Sequence, residues 1–153
     1  MCASKVGQGR RLDTLLKAAT DLHGHFGPFL VLGVRIGLIG LKEIKAKAGE
    51  THLHVTAKLE YSLPFSCMLD GIQTATKCTI GNKRLSFKDS KELGATFLIE
   101  KGGHQVDVIV NSNVVQELRQ KLQRKKPLSE ETRQLALDVA SRLESDLFSV
   151  IHR

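Results

Sequence analysis

Tryptophan is absent from this chain of 153 residues, aromatics amount to 5%, and none is interleaved with the basic runs. A base-stacking platform for nucleic acid is therefore disfavoured, although the formal charge is +7. That charge is local. Arg10-Arg11 sit near the start, and Arg119, Lys121, Arg124, Lys125 and Lys126 fall at a helix end and the linker after it, where cations complement a helix C-terminus and keep a linker solvated. Cysteines are scarce too: Cys2, Cys67 and Cys78 are too few and too irregularly spaced for a disulfide scaffold. No positively charged leader precedes an apolar cleavage segment, so the expectation is a cytoplasmic protein with reduced thiols. The longest apolar run, from Phe29, is interrupted by Arg35 and closed by Lys42-Glu43, which is too short for a bilayer. There is no internal repeat, no low-complexity stretch and no complete phosphate-loop pattern.

What remains, 41% hydrophobic and 25% charged, suits one well-filled core, hence one domain. Leu12, Leu15, Leu16, Ala19 and Leu22 recur at helical spacing, predicting a first helix from about Gly9 or Arg10 that delivers His23 at its end. Gly24 and Gly27 break it, and Pro28 suits the first turn of a buried helix running from Phe29 to Ala46. Leu53, Val55, Ala57 and Leu59 alternate strictly, predicting a strand covered on one face. Ser66 can cap a helix over Cys67 to Thr76. A short strand at Leu85-Lys88 and a hairpin of 95–100 with 105–110 about Gly102-Gly103 follow. A helix over about 114–124 leads to the basic linker, and Leu128-Ser129 resemble a staple and cap for a last helix, about 129–151, with Leu135, Val139, Leu143, Leu147 and Val150 in one stripe. The fold class is α+β, a small antiparallel or mixed sheet with helices packed on it, its core spanning about 10–125. The apolar stripe of the last helix could fold back on its sheet or pack across a two-fold axis, and a homodimer through that seam is expected.

Two imidazoles flanking one glycine, in His23-Gly24-His25, and a lone cysteine opening a helix have the makings of a metal site assembled from distant sequence. Neutral imidazole and thiolate are preferred ligands of zinc and its neighbours. A cysteine in a helix's first turn feels partial positive charge that lowers its thiol pKa; Cys67 is thus a candidate ligand or nucleophile, or else a small buried apolar residue. Asp70 and Gln73 fall near the same helix face and could orient a ligand by hydrogen bonds, or be solvated. Cys78 is expected to be structural. His52 and His54 are expected on the solvent face of their strand. The loop Cys78-Thr79-Ile80-Gly81-Asn82-Lys83 offers a glycine, a hydroxyl and an ammonium group that could hold an anion.

These blocks carry a resemblance. His23-Gly24-His25 before Pro28, then Gly33-Val34-Arg35-Ile36-Gly37, Cys67-Met68-Leu69-Asp70-Gly71-Ile72-Gln73, and Cys78-Thr79-Ile80-Gly81 leading to Leu85 resemble, in order and spacing, the core of the FmdE family of formylmethanofuran dehydrogenase subunits over roughly residues 10 to 115. The resemblance implies an α+β core, a dimer, and a cleft lined by the histidine motif and the cysteine of the second block. Longer relatives add a cysteine-rich zinc finger; this chain has no cysteine after Cys78. Where the family motif usually has a cysteine between the second histidine and the proline, this chain has Gly27.

His23, His25 and Cys67 remain as up to three ligands for a divalent transition metal, zinc foremost, with a position open for water or substrate. Such a site could activate water or polarise a carbonyl, with Cys67, Asp70 and Lys83 as catalytic candidates. The implied roles are a small metalloenzyme or an accessory of one-carbon or molybdenum-enzyme metabolism, related to methanogenesis, acting on a small molecule. The alternative is a non-catalytic subunit that docks a partner through its cleft. The dehydrogenase reaction itself needs a pterin-bound metal or iron-sulfur clusters, and three cysteines without cluster spacing do not supply them.

Overall fold

The alternation at 53–59 becomes a strand whose apolar residues are all buried and whose intervening residues are half-exposed. The computed structural model describes residues 2–153, with side chains from residue 11 onward, so the side chains of Cys2 and Arg10 lie outside that description. Among the described residues the order is α1 (Cys2–His23), α2 (Pro28–Ile44), β1 (Leu53–Leu59), α3 (Cys67–Thr76), β2 (Leu85–Asp89), β3 (Gly94–Ile99), β4 (Gln105–Val110), α4 (Ser112–Leu122), α5 (Glu130–Ser141), α6 (Glu144–Leu147) and β5 (Phe148–His152). The sheet runs β2-β1-β3-β4-β5. β1 and β2 are parallel, joined through α3, and the other pairs are antiparallel. The fold is α+β with a mixed sheet. No helix among the described residues is long and apolar enough to cross a membrane.

α2 is the core helix. Phe29, Leu30, Val31, Leu32, Val34 and Ile36 are all but sealed from solvent, each worth about 1.5–3 kcal/mol of gross burial. It lies over β3 and β4 and makes its most extensive packing with α3. Backbone meets backbone there: a Cβ on Gly33 would stand 2.2 Å from the Met68 carbonyl oxygen, and one on Gly71 would stand 2.3 Å from that of Leu30. Those two glycines let α2 and α3 touch, and that contact fixes where α3 begins. Arg35, the charge inside the apolar run, is also used: its Nη1 donates to the carbonyls of Val139, at 2.8 Å, and Arg142. It satisfies orphan acceptors at the C-terminus of α5.

Several expectations are corrected. α1 begins at Cys2, well before Gly9, because a glycine inside a helix costs only about 1 kcal/mol and need not end it. Leu22 of the predicted stripe is 55% exposed. Ser66 occupies the N-cap position of α3 but makes no side-chain cap bond. Ser129 does cap α5, accepting from the Thr132 N–H, whereas Leu128, the predicted staple, is 82% exposed.

The largest correction is the last helix. It stops at Ser141, a four-residue helix follows, and 148–152 form β5 against β4. The stripe therefore breaks up: Val139 and Leu147 are fully buried within the chain, while Leu143 is 68% exposed. The expected dimer seam loses its premise, since its residues are spread over α5, the link after it, α6 and β5. Charge and register hold β5 in place instead. Arg153 donates through Nε to Asp107 Oδ2 at 2.8 Å, and Thr96 donates to Oδ1 of the same carboxylate at 2.7 Å.

Candidate metal centre

α1 ends where Gly24 takes a left-handed φ of 98° and its N–H reaches the Thr20 carbonyl at 2.7 Å. That leaves His23 on the last turn and His25 on the connection to α2. Gly27 is the N-cap of α2 and Pro28 its first residue, as the missing proline donor permits. The α2–α3 contact then brings the start of α3 against this turn. The donor atoms of His23, His25 and Cys67 all lie within 4.8 Å of one another, and the two imidazole centroids are 4.5 Å apart. A tetrahedral zinc site has donor separations of roughly 3.3–3.8 Å, so ligation would draw this set inward.

Asp70, one turn along α3 from Cys67, completes the cluster. His23 Nδ1 donates to Asp70 Oδ2 at 2.7 Å. With the proton on Nδ1, the lone pair is on Nε2. That Nε2 is buried and has no hydrogen-bond partner among the described residues. An orphaned buried imidazole nitrogen beside a thiol and a second imidazole is the arrangement a metal would satisfy, and the carboxylate behind it orients the ring. The donor set fits a borderline-soft divalent ion.

Electrostatics correct one expectation and add another. The Cys67 thiol is raised above its ordinary pKa: burial is the main cause, the Asp70 carboxylate adds to it, and the hydrogen bond from Cys67's own backbone N–H only partly offsets them. The first turn of α3 thus fails to win against a side chain only 6% exposed. His25 is lowered, first by burial and then by His23, which favours the neutral, ligating imidazole.

The other candidates separate from the site. Lys83 is exposed, in a loop beyond the far end of α3, roughly 15 Å of helix away from Cys67. The Thr79 hydroxyl and the Asn82 amide oxygen are spent within the loop: the Thr79 N–H donates to Asn82 Oδ1 and the Asn82 N–H to Thr79 Oγ1, each at 2.9 Å. Cys78 is fully buried, its thiol facing the Leu53 carbonyl at 3.6 Å, a structural role as expected. Gln73 is half-buried and bonds to neither histidine. His54 and His52 share the exposed carboxylate of Glu100, at 2.6 and 3.8 Å.

A cleft of about 480 Å³ opens beside the donors, with His25 and Cys67 in its wall. Sequence reading missed what surrounds it. Arg119 stands 4.8 Å over the Phe65 ring, and both line the cleft with Lys125 and Thr132. Arg119 and Lys125 read in sequence as helix-end charges, and no local pattern distinguishes them from their neighbours Lys121 and Arg124. Gly27 also lines it: a Cβ there would lie 3.6 Å from His25 Nε2 and 4.0 Å from Thr132.

A small α+β protein with an imidazole–imidazole–thiol cluster at one side of an apolar cleft is thus defined. The family described as FmdE, Molybdenum formylmethanofuran dehydrogenase operon, matches residues 22–149, and the chain belongs to it. The crystal structure of a tungsten formylmethanofuran dehydrogenase FmdE-like protein from Syntrophus aciditrophicus has the same fold, with a TM-score of 0.61 at 18% identity, covering 93% of this chain and 71% of that one. A protein of Archaeoglobus fulgidus named "Probable S-adenosyl-L-methionine-binding protein" is 34% identical over 111 residues, 69% of this chain. The match spans only 29% of that relative's length.

Proposed function

We propose that the chain binds one divalent transition metal, zinc foremost, through His23 Nε2, His25 and Cys67, as a small metalloprotein of the FmdE family. The observation that carries this reading is the buried His23 Nε2, without a partner among the described residues, its ring fixed by Asp70. Three protein donors leave a fourth position for water or substrate, the arrangement of catalytic rather than structural zinc sites. A zinc ion so held would act as a Lewis acid, polarising a carbonyl or lowering the pKa of a water. The chain's own residues do the rest. Asp70 holds His23 in the ligating tautomer, the α1–α2 turn presents His25, and burial keeps the Cys67 proton in place until it is displaced. Family membership supports a one-carbon or molybdenum-enzyme setting, and the name of the Archaeoglobus relative makes S-adenosyl-L-methionine a ligand to try.

The test is metal content by mass spectrometry on protein purified without an affinity tag. About one zinc per chain is expected, falling several-fold in Cys67→Ser and His23→Ala variants that keep their circular dichroism. Unchanged stoichiometry in both would overturn the assignment and favour the reading of a cleft that docks a partner protein.

A further inference from the structure

The two exposed cations at the cleft do not behave like the half-buried Arg35. Arg35 spends its guanidinium on carbonyls of the chain. Arg119 is stacked over Phe65 at 4.8 Å, yet among the described residues its guanidinium makes no hydrogen bond. Its nearest carboxylate, Glu60, is 3.6 Å away. Lys125 Nζ, also in the wall, has no hydrogen bond or ion pair among the described residues. A guanidinium lying over an aromatic ring, with a long ion pair to the exposed Glu60 and no hydrogen bond, keeps its donor fork for a planar bidentate acceptor.

Much of the rest of the wall is apolar, with Ser62, Gln123 and Thr132 set into it. Pro28, Leu63, Phe65, Leu122 and Pro127 face the cleft, and about 480 Å³ suits a small ligand. Arg119 and Lys125 against Glu60 leave one net positive charge at the cleft, which matches a monoanion better than a dianion.

We propose that the cleft binds a small carboxylic acid, its carboxylate on Arg119 and Lys125 and its apolar body against Phe65, Leu63 and Leu122, with its far end toward His25 and Cys67. This names the substrate class for the metal site proposed above and rests on that reading only for the last clause; the carboxylate grip is independent of the metal.

Calorimetric titration with hexanoate, 1-hexanol, hexylamine and hexyl phosphate tests it, on wild-type protein of measured zinc content and on Arg119→Ala, Lys125→Ala and Cys67→Ser. Hexanoate should bind at least about tenfold more tightly than the alcohol or amine, and Arg119→Ala should erase that preference without changing zinc content, as loss of charge-assisted bonds implies. Cys67→Ser should lose zinc and keep the Arg119-dependent preference. Equal binding of hexanoate and hexanol, or an Arg119→Ala variant that still prefers hexanoate, overturns the proposal even if zinc is present. Tighter binding of hexyl phosphate overturns the choice of carboxylate. Selective hexanoate binding by wild-type protein that holds no zinc would leave this inference standing and remove the metal reading.

Discussion

Gly27→Cys is the substitution that should change the metal centre most. The backbone at 27 is extended, with φ −135° and ψ 164°, so no glycine is required there. The new Cβ would make ordinary van der Waals contacts, 3.6 Å from His25 Nε2 and 4.0 Å from Thr132 Cγ2, and the thiol would extend from it beside the donors. Loss of glycine at an N-cap costs a few tenths of a kcal/mol to about 1. Four-ligand zinc sites bind with about 10–16 kcal/mol. An added thiolate is then worth on the order of 3 kcal/mol, or about a hundredfold in affinity. Chelator competition measures that gain. Cobalt substitution supplies a second readout, since the thiolate-to-cobalt charge-transfer band should about double when one thiolate becomes two. An affinity within threefold of wild type, with an unchanged band, would refute the placement of the donors around residue 27.

Asp70→Asn should lower metal affinity by about 10–100-fold while leaving the fold intact, because the amide can no longer hold His23 by charge; a chelator titration reads it. Gly71→Ala places a methyl 2.3 Å from the Leu30 carbonyl oxygen and should destabilise by at least about 1–3 kcal/mol in denaturant melts. Asp107 supplies a pH dependence: burial alone would raise its carboxyl, but the hydrogen bonds from Thr96 and Arg153 and the charges of Lys58 and Arg153 outweigh it and hold the pKa below the ordinary value. Its folded pKa being depressed, the stability it contributes is fully present above about pH 4 and is lost as pH falls through the folded value. The stability gap between wild type and Asp107→Asn should therefore be constant near neutrality and shrink only in acid.

Local pattern and tertiary context divide what sequence could show. Cys67–Thr76 and Gln105–Val110 are predicted with the observed bounds, because a helix opened after Pro64 and Ser66 and a hairpin turn about two glycines are local statements. The resemblance blocks likewise name His23, His25 and Cys67 before any geometry. The C-terminal strand is lost because Leu143, Leu147 and Val150 happen to fall at helical spacing; the competing signal is the β-branched and aromatic content of Phe148-Ser149-Val150-Ile151. Asp70 could be placed on the right helix face, but not opposite His23, since spacing along α3 says nothing of what α1 presents. The Cys67 thiol goes the other way because burial, a tertiary quantity, outweighs the helix terminus. Arg119 is far along the chain from Phe65, the ring it lies over, beyond any periodicity.

Zinc-edge X-ray absorption on the untagged wild-type protein tests the central claim most directly. The account predicts a first shell of one sulfur at about 2.3 Å with imidazole nitrogens at about 2.0 Å, the sulfur disappearing in Cys67→Ser. A shell of oxygen and nitrogen alone, or one with two or more sulfurs, would contradict a centre built from His23, His25 and Cys67.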